Sequence, residues 1–278
     1  MQDVATEAAR FIAAHAEEKL SLADVADHVG YSPFHLARAF EWSTGQPPGR
    51  FLAAHRFQRA KRLLLDTDAR ISEVCCAVGF SSQGTFTRRF TAEVGVSPGE
   101  FRRLPHRLAD APPRPVAVPG RAGGGGAVSG TVELSPAARI ALGGGASIYV
   151  GLFLSRAPSG VPVSGALLDG EGRFHLTGVP PGRYWLMSTA LAARACPSAQ
   201  LVPSWNVVGG SPAPVRVVAG SAERREITLR VAPPWSAPVL VALPPLAAPI
   251  AQDRRRQRPS AGLPSSSPVK TGSPGSRL

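Results

Sequence analysis

The sequence predicts a multidomain chain: an N-terminal all-α domain built from two helix-turn-helix units, then an all-β sandwich, then a disordered tail. Three observations carry this reading. Apolar residues recur at helical spacing up to about Leu104. A proline- and glycine-rich stretch, APPRPVAVPGRAGGGG, follows at residues 111–126. Beyond it the pattern changes to short, nearly alternating runs (VSGTVEL, SIYVGLFL, RFHLTG, RYWLMS, EITLRV), with Gly or Pro about every ten residues. The expected divisions are a helical domain at 5–105, a linker at 106–127, a sandwich at 128–250 and a basic tail at 251–278.

The helical domain rests on an internal repeat. SLADVADHVGYS, from Ser21 to Ser32, is echoed 49 residues later by RISEVCCAVGFS, from Arg70 to Ser81. Leu22/Ile71, Asp24/Glu73, Val25/Val74, Val29/Val78, Gly30/Gly79 and Tyr31/Phe80 correspond. In each copy a short helix carries a small residue (Ala26, Cys75) where a second helix must come close. Gly30 and Gly79 then fall at the turn, where a left-handed backbone costs little without a Cβ. The aromatic that follows, Tyr31 or Phe80, is expected to plug the angle between the helices.

The second helix of unit one begins at SPFHLARAF, with Ser32 as N-cap and Pro33 in the first helical position. In unit two it lies in SSQGTFTRRF. Leu36 and Phe40, like Phe86 and Phe90, are spaced to face the core. That leaves Phe34, Ala37 and Arg38 outward in the first copy, and Gln83, Gly84, Thr87 and Arg88 in the second. Such residues suit the DNA major groove: arginine forks match guanine O6 and N7, glutamine serves adenine, and the methyl of Thr87 or Thr85 meets thymine. His35 reads equally well as a DNA contact or as a surface histidine without a readout role.

Between the units, PPGRFLAAHRFQRAKRLLLDT reads as one helix from about Gly49 to Leu65, roughly 25 Å long. A rod of that size can hold two recognition helices about one DNA turn apart, near 34 Å. Its Arg50, Arg56, Arg59, Lys61 and Arg62 have no acid among them and suit phosphates. Arg89 and Arg102 join Arg50, Arg56, Arg59 and Arg62 as candidate phosphate contacts. The domain closes on GVSPGEFRRL, where Ser97, Pro98 and Glu100 form a capping box.

This arrangement resembles the AraC/XylS family of transcription regulators over residues of about 5–105. The pattern is carried by Arg56, Ala60, Leu64, Ile71, Val74, Cys75, Gly79, Phe80, Phe86, Arg88, Phe90, Gly95, Ser97, Pro98, Phe101 and Arg102. The resemblance implies a sequence-specific regulator whose two recognition helices read adjacent major-groove segments, with double-stranded DNA and RNA polymerase as partners. Cys75 stands where alanine is usual, and Glu41 and Thr91 where a basic residue often follows the recognition-helix Phe. Family members mostly place the sensing part first, and this chain reverses that order.

Other readings are weaker. The net charge is +12, yet residues 1–107 hold 14 Lys and Arg against 12 Asp and Glu, so bulk charge does not locate a DNA-binding part. The Arg254, Arg255, Arg256, Arg258 cluster reads as a solvated tail or as a phosphate contact. Cys75 and Cys76 read as a packed pair or a thiol sensor. No GxSxG, HExxH or P-loop occurs, so neither an enzyme nor a metal or cofactor is expected; Asp169 and Glu171 look like turn residues. The start of the chain has early acids and no apolar run, and no stretch reaches the ~18 apolar residues of a membrane span. A cytoplasmic protein without a membrane partner is the expectation.

DGEGRFHLTGVPPGRYWL resembles the carboxypeptidase-regulatory-like, transthyretin-like sandwich through Gly172, Phe174, Leu176, Val179, Pro180, Pro181, Gly182, Tyr184 and Leu186. That resemblance implies a binding or stabilising module with an unnamed ligand or protein partner. It also supplies the alternative function, a binding or scaffold protein acting through its sandwich. The linker composition predicts loosely tethered halves, so that occlusion of DNA or recruitment of a partner is expected rather than rigid coupling.

Overall fold

The computed structural model describes residues 2–110, 116–118, 125–157 and 160–243. The expected tail at 251–278, its arginine cluster and half of the expected linker lie outside these residues. Seven helices come first: α1 (Gln2–Ala14), α2 (Leu22–Val29), α3 (Pro33–Thr44), α4 (Pro48–Asp66), α5 (Ile71–Ala77), α6 (Gln83–Val94) and α7 (Pro98–Asp110). The remainder is rich in strands: β1 (Val116–Val118), β2 (Gly126–Leu134), β3 (Ala146–Phe153), β4 (Ser164–Asp169), β5 (Gly172–Val179), β6 (Gly182–Ala192), β7 (Val207–Gly210), β8 (Val215–Val217) and β9 (Ala222–Val231). Short helices α8 (Pro136–Leu142) and α9 (Pro197–Leu201) interrupt them. None of the described helices is long and apolar enough to cross a membrane.

The helix ends follow local chemistry. Ser21 and Asp24 form a reciprocal capping box, the Ser21 amide donating to Oδ2 at 2.8 Å and the Asp24 amide to Oγ at 3.2 Å. Hydrogen bonding of its carboxyl to the Ser21 amide, and then to the Ser21 side chain, lowers the Asp24 pKa. The Ser32 and Ser82 hydroxyls accept from the amides of His35 and Thr85 at the starts of α3 and α6. Gly30 and Gly79 sit at φ 70° and 78°, the left-handed turn that the repeat requires.

The two units have separate cores joined by α4. Phe51, near its start, packs with Ile12, Val25, Leu36 and Phe40 of the first unit. Phe57, Ala60 and Leu64, further along, pack with Val74, Phe86, Phe90 and Phe101 of the second. Phe57 is fully buried and stacks on Phe80 with centroids 5.2 Å apart. A shift of 49 residues sets Ala8 against Phe57. Tyr31 thus has no such ring beneath it and stays 45% exposed, whereas Phe80 is half-buried; only the second aromatic plugs its turn. The cysteines also part company, Cys75 being buried and Cys76 exposed, so they are not a packed pair.

In the strand-rich region the neighbours run β1-β4-β3-β6-β7-β9-β2-β5, with β8 attached to β6. Most pairs are antiparallel, and β2 with β9 is parallel. The sheet curls around one core that includes Val128, Ile148, Leu176, Leu186, Val215 and Leu229. β4, β7, β8, α8 and α9 are not among the runs expected from alternation. SGALLD of β4 is buried on both faces over its first residues, which erases the period-two signal.

The tether departs most from expectation. Helix α7 continues to Asp110 and β1 pairs with β4 inside the span expected as linker. The stretch after β9, residues 232–243, leaves the sheet and lies along the helices. Trp235 and Ala237 pack on the first core and Leu240 and Ala242 on the second. Arg10 covers the Trp235 ring at 4.2 Å, and Lys61 Nζ donates to the Val239 and Leu240 carbonyls at 3.3 and 3.4 Å. The halves are therefore docked by a strap, not loosely joined. The reason is that a five-residue apolar run, Val239 to Leu243, finds a core on each side.

Candidate nucleic-acid interface

Helices α3 and α6 are placed alike by their caps and their buried i, i+4 phenylalanine or leucine pairs, Leu36/Phe40 and Phe86/Phe90, all at 0% exposure. What remains outward is the surface expected from the repeat. On α3, Phe34 is 67% exposed, Arg38 is exposed with its guanidinium 5.7 Å from the Phe34 ring, and Ala37 is half-buried. On α6, Gln83, Gly84 and Arg88 are exposed and Thr87 is half-buried. Trp42, which was not singled out, extends the Phe34–Arg38 stripe by one more turn at 72% exposure. Its spacing of four from Arg38 was the signal available.

The basic residues divide into two groups. Arg62 and Arg89 are exposed, Arg89 lying 5.6 Å from the Phe80 ring. The others are occupied within the chain. Arg56 donates to the carbonyls of Ala16 (3.0 Å), Glu18 (2.7 Å) and Gly79 (3.4 Å), a clamp between the two units. Burial, with Arg89 nearby, lowers its pKa. Arg102 donates to Leu64 O at 3.2 Å, in the last turn of α4, and to Ala69 O at 2.5 Å, in the link to α5. Arg50 joins Glu93 and the Ala157 carbonyl at 3.4 and 3.1 Å, and Arg59 is paired with Glu17. Lys61 is fully buried, and burial with Arg62 beside it depresses its pKa to about 7. Four of the six arginines expected at phosphates thus hold this chain's own carbonyls and carboxylates. Three of them stand on α4, between the two cores, and Arg102 on α7, where folding brings acceptors of the chain itself within reach.

His55, on the same rod, is desolvated to a pKa of about 4 and stays neutral near pH 7. His35 bonds to the Ser32 hydroxyl at 2.8 Å and remains exposed. In the strand region Glu171 pairs with Arg139 at 2.8 Å and accepts from the Leu134 amide at 3.0 Å, the part of a turn anchor. Among the described residues no group of three or more His, Cys, Asp or Glu is arranged to hold a metal ion.

Residues 25–104 match a family model described as a helix-turn-helix domain. The chain is similar to the HTH-type transcriptional activator AarP of Providencia stuartii, 36% identical over 84 residues, which cover 30% of this chain and 62% of that protein. It is likewise similar to the Right origin-binding protein of Escherichia coli strain K12, 36% identical over 91 residues, covering 33% and 32% of the two chains. Among solved structures, a transcriptional regulator from Chromobacterium violaceum, one of the AraC-type DNA-binding domain-containing proteins, is 34% identical. That match covers 37% of this chain and 92% of that one, with a TM-score of 0.34. The chain spans less than two thirds of the length of these curated relatives. Residues 25–104 are a helix-turn-helix domain of the AraC type.

Proposed function

We propose that the protein is a sequence-specific DNA-binding transcription regulator in which α3 and α6 enter successive major-groove segments of double-stranded DNA. The observation that carries this is the paired outward face: Phe34, Ala37, Arg38 on one helix and Gln83, Gly84, Thr87, Arg88 on the other, each behind the same cap, turn and core pair. The rod between them, α4, has 19 residues, or about 28 Å at 1.5 Å per residue, a span suited to neighbouring turns of one DNA face. The similarity to an HTH-type transcriptional activator supports the same reading. In it Arg62 and Arg89 neutralise phosphates, while Arg50, Arg56, Arg59 and Arg102 keep the helices in register. A cytoplasmic location and RNA polymerase as a second partner go with this role.

The strand-rich half reads as a carboxypeptidase-regulatory-like sandwich, a binding module. The Tyr184 hydroxyl donates to the Pro180 carbonyl at 3.0 Å, a corner that suits the Val-Pro-Pro-Gly and Tyr strand pattern.

Footprinting of the full chain on selected genomic fragments tests the regulator reading. Protection over two adjacent major-groove segments is expected. Arg88→Ala should relax discrimination at particular base pairs by ~1–3 kcal/mol, and Arg62→Ala should weaken all sequences alike. Absence of any protected site, or identical effects of the two substitutions, would refute it.

A further inference from the structure

A cavity of about 160 Å³ opens between the strap and the outer face of β3, β4 and β6. Two glycines in register, Gly151 on β3 and Gly165 on β4, form part of its wall. A Cβ at Gly151 would lie 3.0 Å from Phe153 and Pro162, so the bare backbone there lets these two side chains close over it and shape the wall. The wall is mostly apolar, with Phe153, Leu167 and Met187 prominent; Ser188 and Thr189 also line it, the Thr189 hydroxyl donating to the Val207 carbonyl and the Ser188 hydroxyl buried without a hydrogen-bond partner among the described residues. Tyr149 also lines it and is only 6% exposed, yet its hydroxyl has no hydrogen-bond partner among the described residues. A buried hydroxyl without a partner is costly, and an arriving acceptor relieves that cost. Burial also raises the Tyr149 pKa, so the group remains a donor.

The lid over this cavity is the strap, and its residues alternate. Val239, Val241 and Leu243 face the cavity. Leu240 and Ala242 face the second helical core, among Phe86, Phe90 and Val94. The Ala242 amide donates to the Val94 carbonyl at 2.9 Å, in the last turn of recognition helix α6. The strap thus touches the cavity with one face and the second helical core with the other.

We propose that this cavity is a receptor site for a small monocyclic aromatic molecule bearing one hydrogen-bond acceptor, and that the strap relays its occupancy to α6. The volume sets the size, since roughly 150 Å³ of apolar cavity accommodates a benzene ring. The apolar wall sets the ring, and Tyr149 sets the acceptor. Coupling is reciprocal: a ligand that tightens the strap is bound more tightly when α6 is held. The consequence for DNA rests on the regulator reading, but the binding itself does not, so the two fail separately.

The test uses the full chain with acetophenone and, as a ring without an acceptor, toluene. Calorimetric titration should show one saturable site, with acetophenone about five-fold the tighter, the worth of one ordinary hydrogen bond. Tyr149→Phe should bring the two probes within two-fold of each other. Leu167→Trp, checked for folding by circular dichroism, should abolish both. Should it misfold, Tyr149→Phe still decides, because it removes a single oxygen. Bound acetophenone should slow hydrogen exchange at the Ala242 amide several-fold. Neither probe binding saturably, or Tyr149→Phe leaving the ratio intact, would overturn the site. Binding without any change at Ala242 would overturn the relay.

Discussion

Replacing Arg56 by alanine separates a structural from a DNA-contacting role. Its guanidinium donates to Ala16 O, Glu18 O and Gly79 O at 3.0, 2.7 and 3.4 Å, and so spans the end of α1, the following turn and the turn of unit two. A hydrogen bond from a charged donor contributes about 1.5–3 kcal/mol when buried. Here only the bond to Ala16 is partly buried, the other two are exposed, and the freed carbonyls can recruit water. A total loss of about 2–3 kcal/mol is therefore expected for Arg56→Ala. Urea unfolding followed by circular dichroism at a helix wavelength measures it, at constant m. A phosphate contact makes a different signature: removing one lowers the slope of log K against log salt by about 0.9. Duplex DNA titrated at several salt concentrations should show the Arg56→Ala slope unchanged and the Arg62→Ala slope reduced. A variant with parental stability, within ~0.5 kcal/mol, and a slope lowered by about one would show that Arg56 is a phosphate ligand and that the clamp is incidental.

Three further outcomes follow from the same geometry. Gly30→Ala and Gly79→Ala both force a side chain into the left-handed region at ~1–2 kcal/mol, but only at Gly79 would the new Cβ meet a neighbour, Arg56 Cζ at 3.1 Å. Gly79→Ala should be clearly the more destabilising in thermal melts, and equal losses would refute the difference. Phe57→Ala should cost ~3–5 kcal/mol and expose unit two to proteolysis before unit one, since its ring meets Phe80, Phe86 and Phe90. The folded pKa of Lys61 is about 7, below the ~10.4 of an unfolded lysine, so between these values the unfolded chain binds more protons. Stability should then rise as pH rises from about 7 to about 10, Lys61→Met should flatten that rise, and a wild-type urea midpoint falling over the same window would contradict it.

The helical half was legible because its determinants are local. Ser32 before Pro33, the Ser97–Glu100 box, glycines at the turns and i, i+4 phenylalanines act within one or two turns of chain, and doubling of the motif amplified them. The exposed residues of α3 and α6 followed directly, being what such a face leaves over. The strands of clear alternation, such as RYWLMS within β6, were legible for the same reason. Those buried on both faces, such as β4, or only a few residues long, such as β7 and β8, carry no periodic signal.

The fate of the rod's arginines and of the strap was decided by tertiary structure alone. Charge and spacing on α4 are the same whether Arg56 meets a phosphate or the Gly79 carbonyl; only folding brings that carbonyl to 3.4 Å. Likewise VLVAL at 239–243 falls inside the span expected as sandwich, because sequence states that a side chain avoids water and not which core receives it. Lys61 reaches the Val239 carbonyl across 178 positions of chain, and the bond exists because two hydrophobic clusters close on the same segment. Local chemistry determined which helices form and which faces they leave exposed. Long-range packing determined which cations stay free and how the two halves are joined.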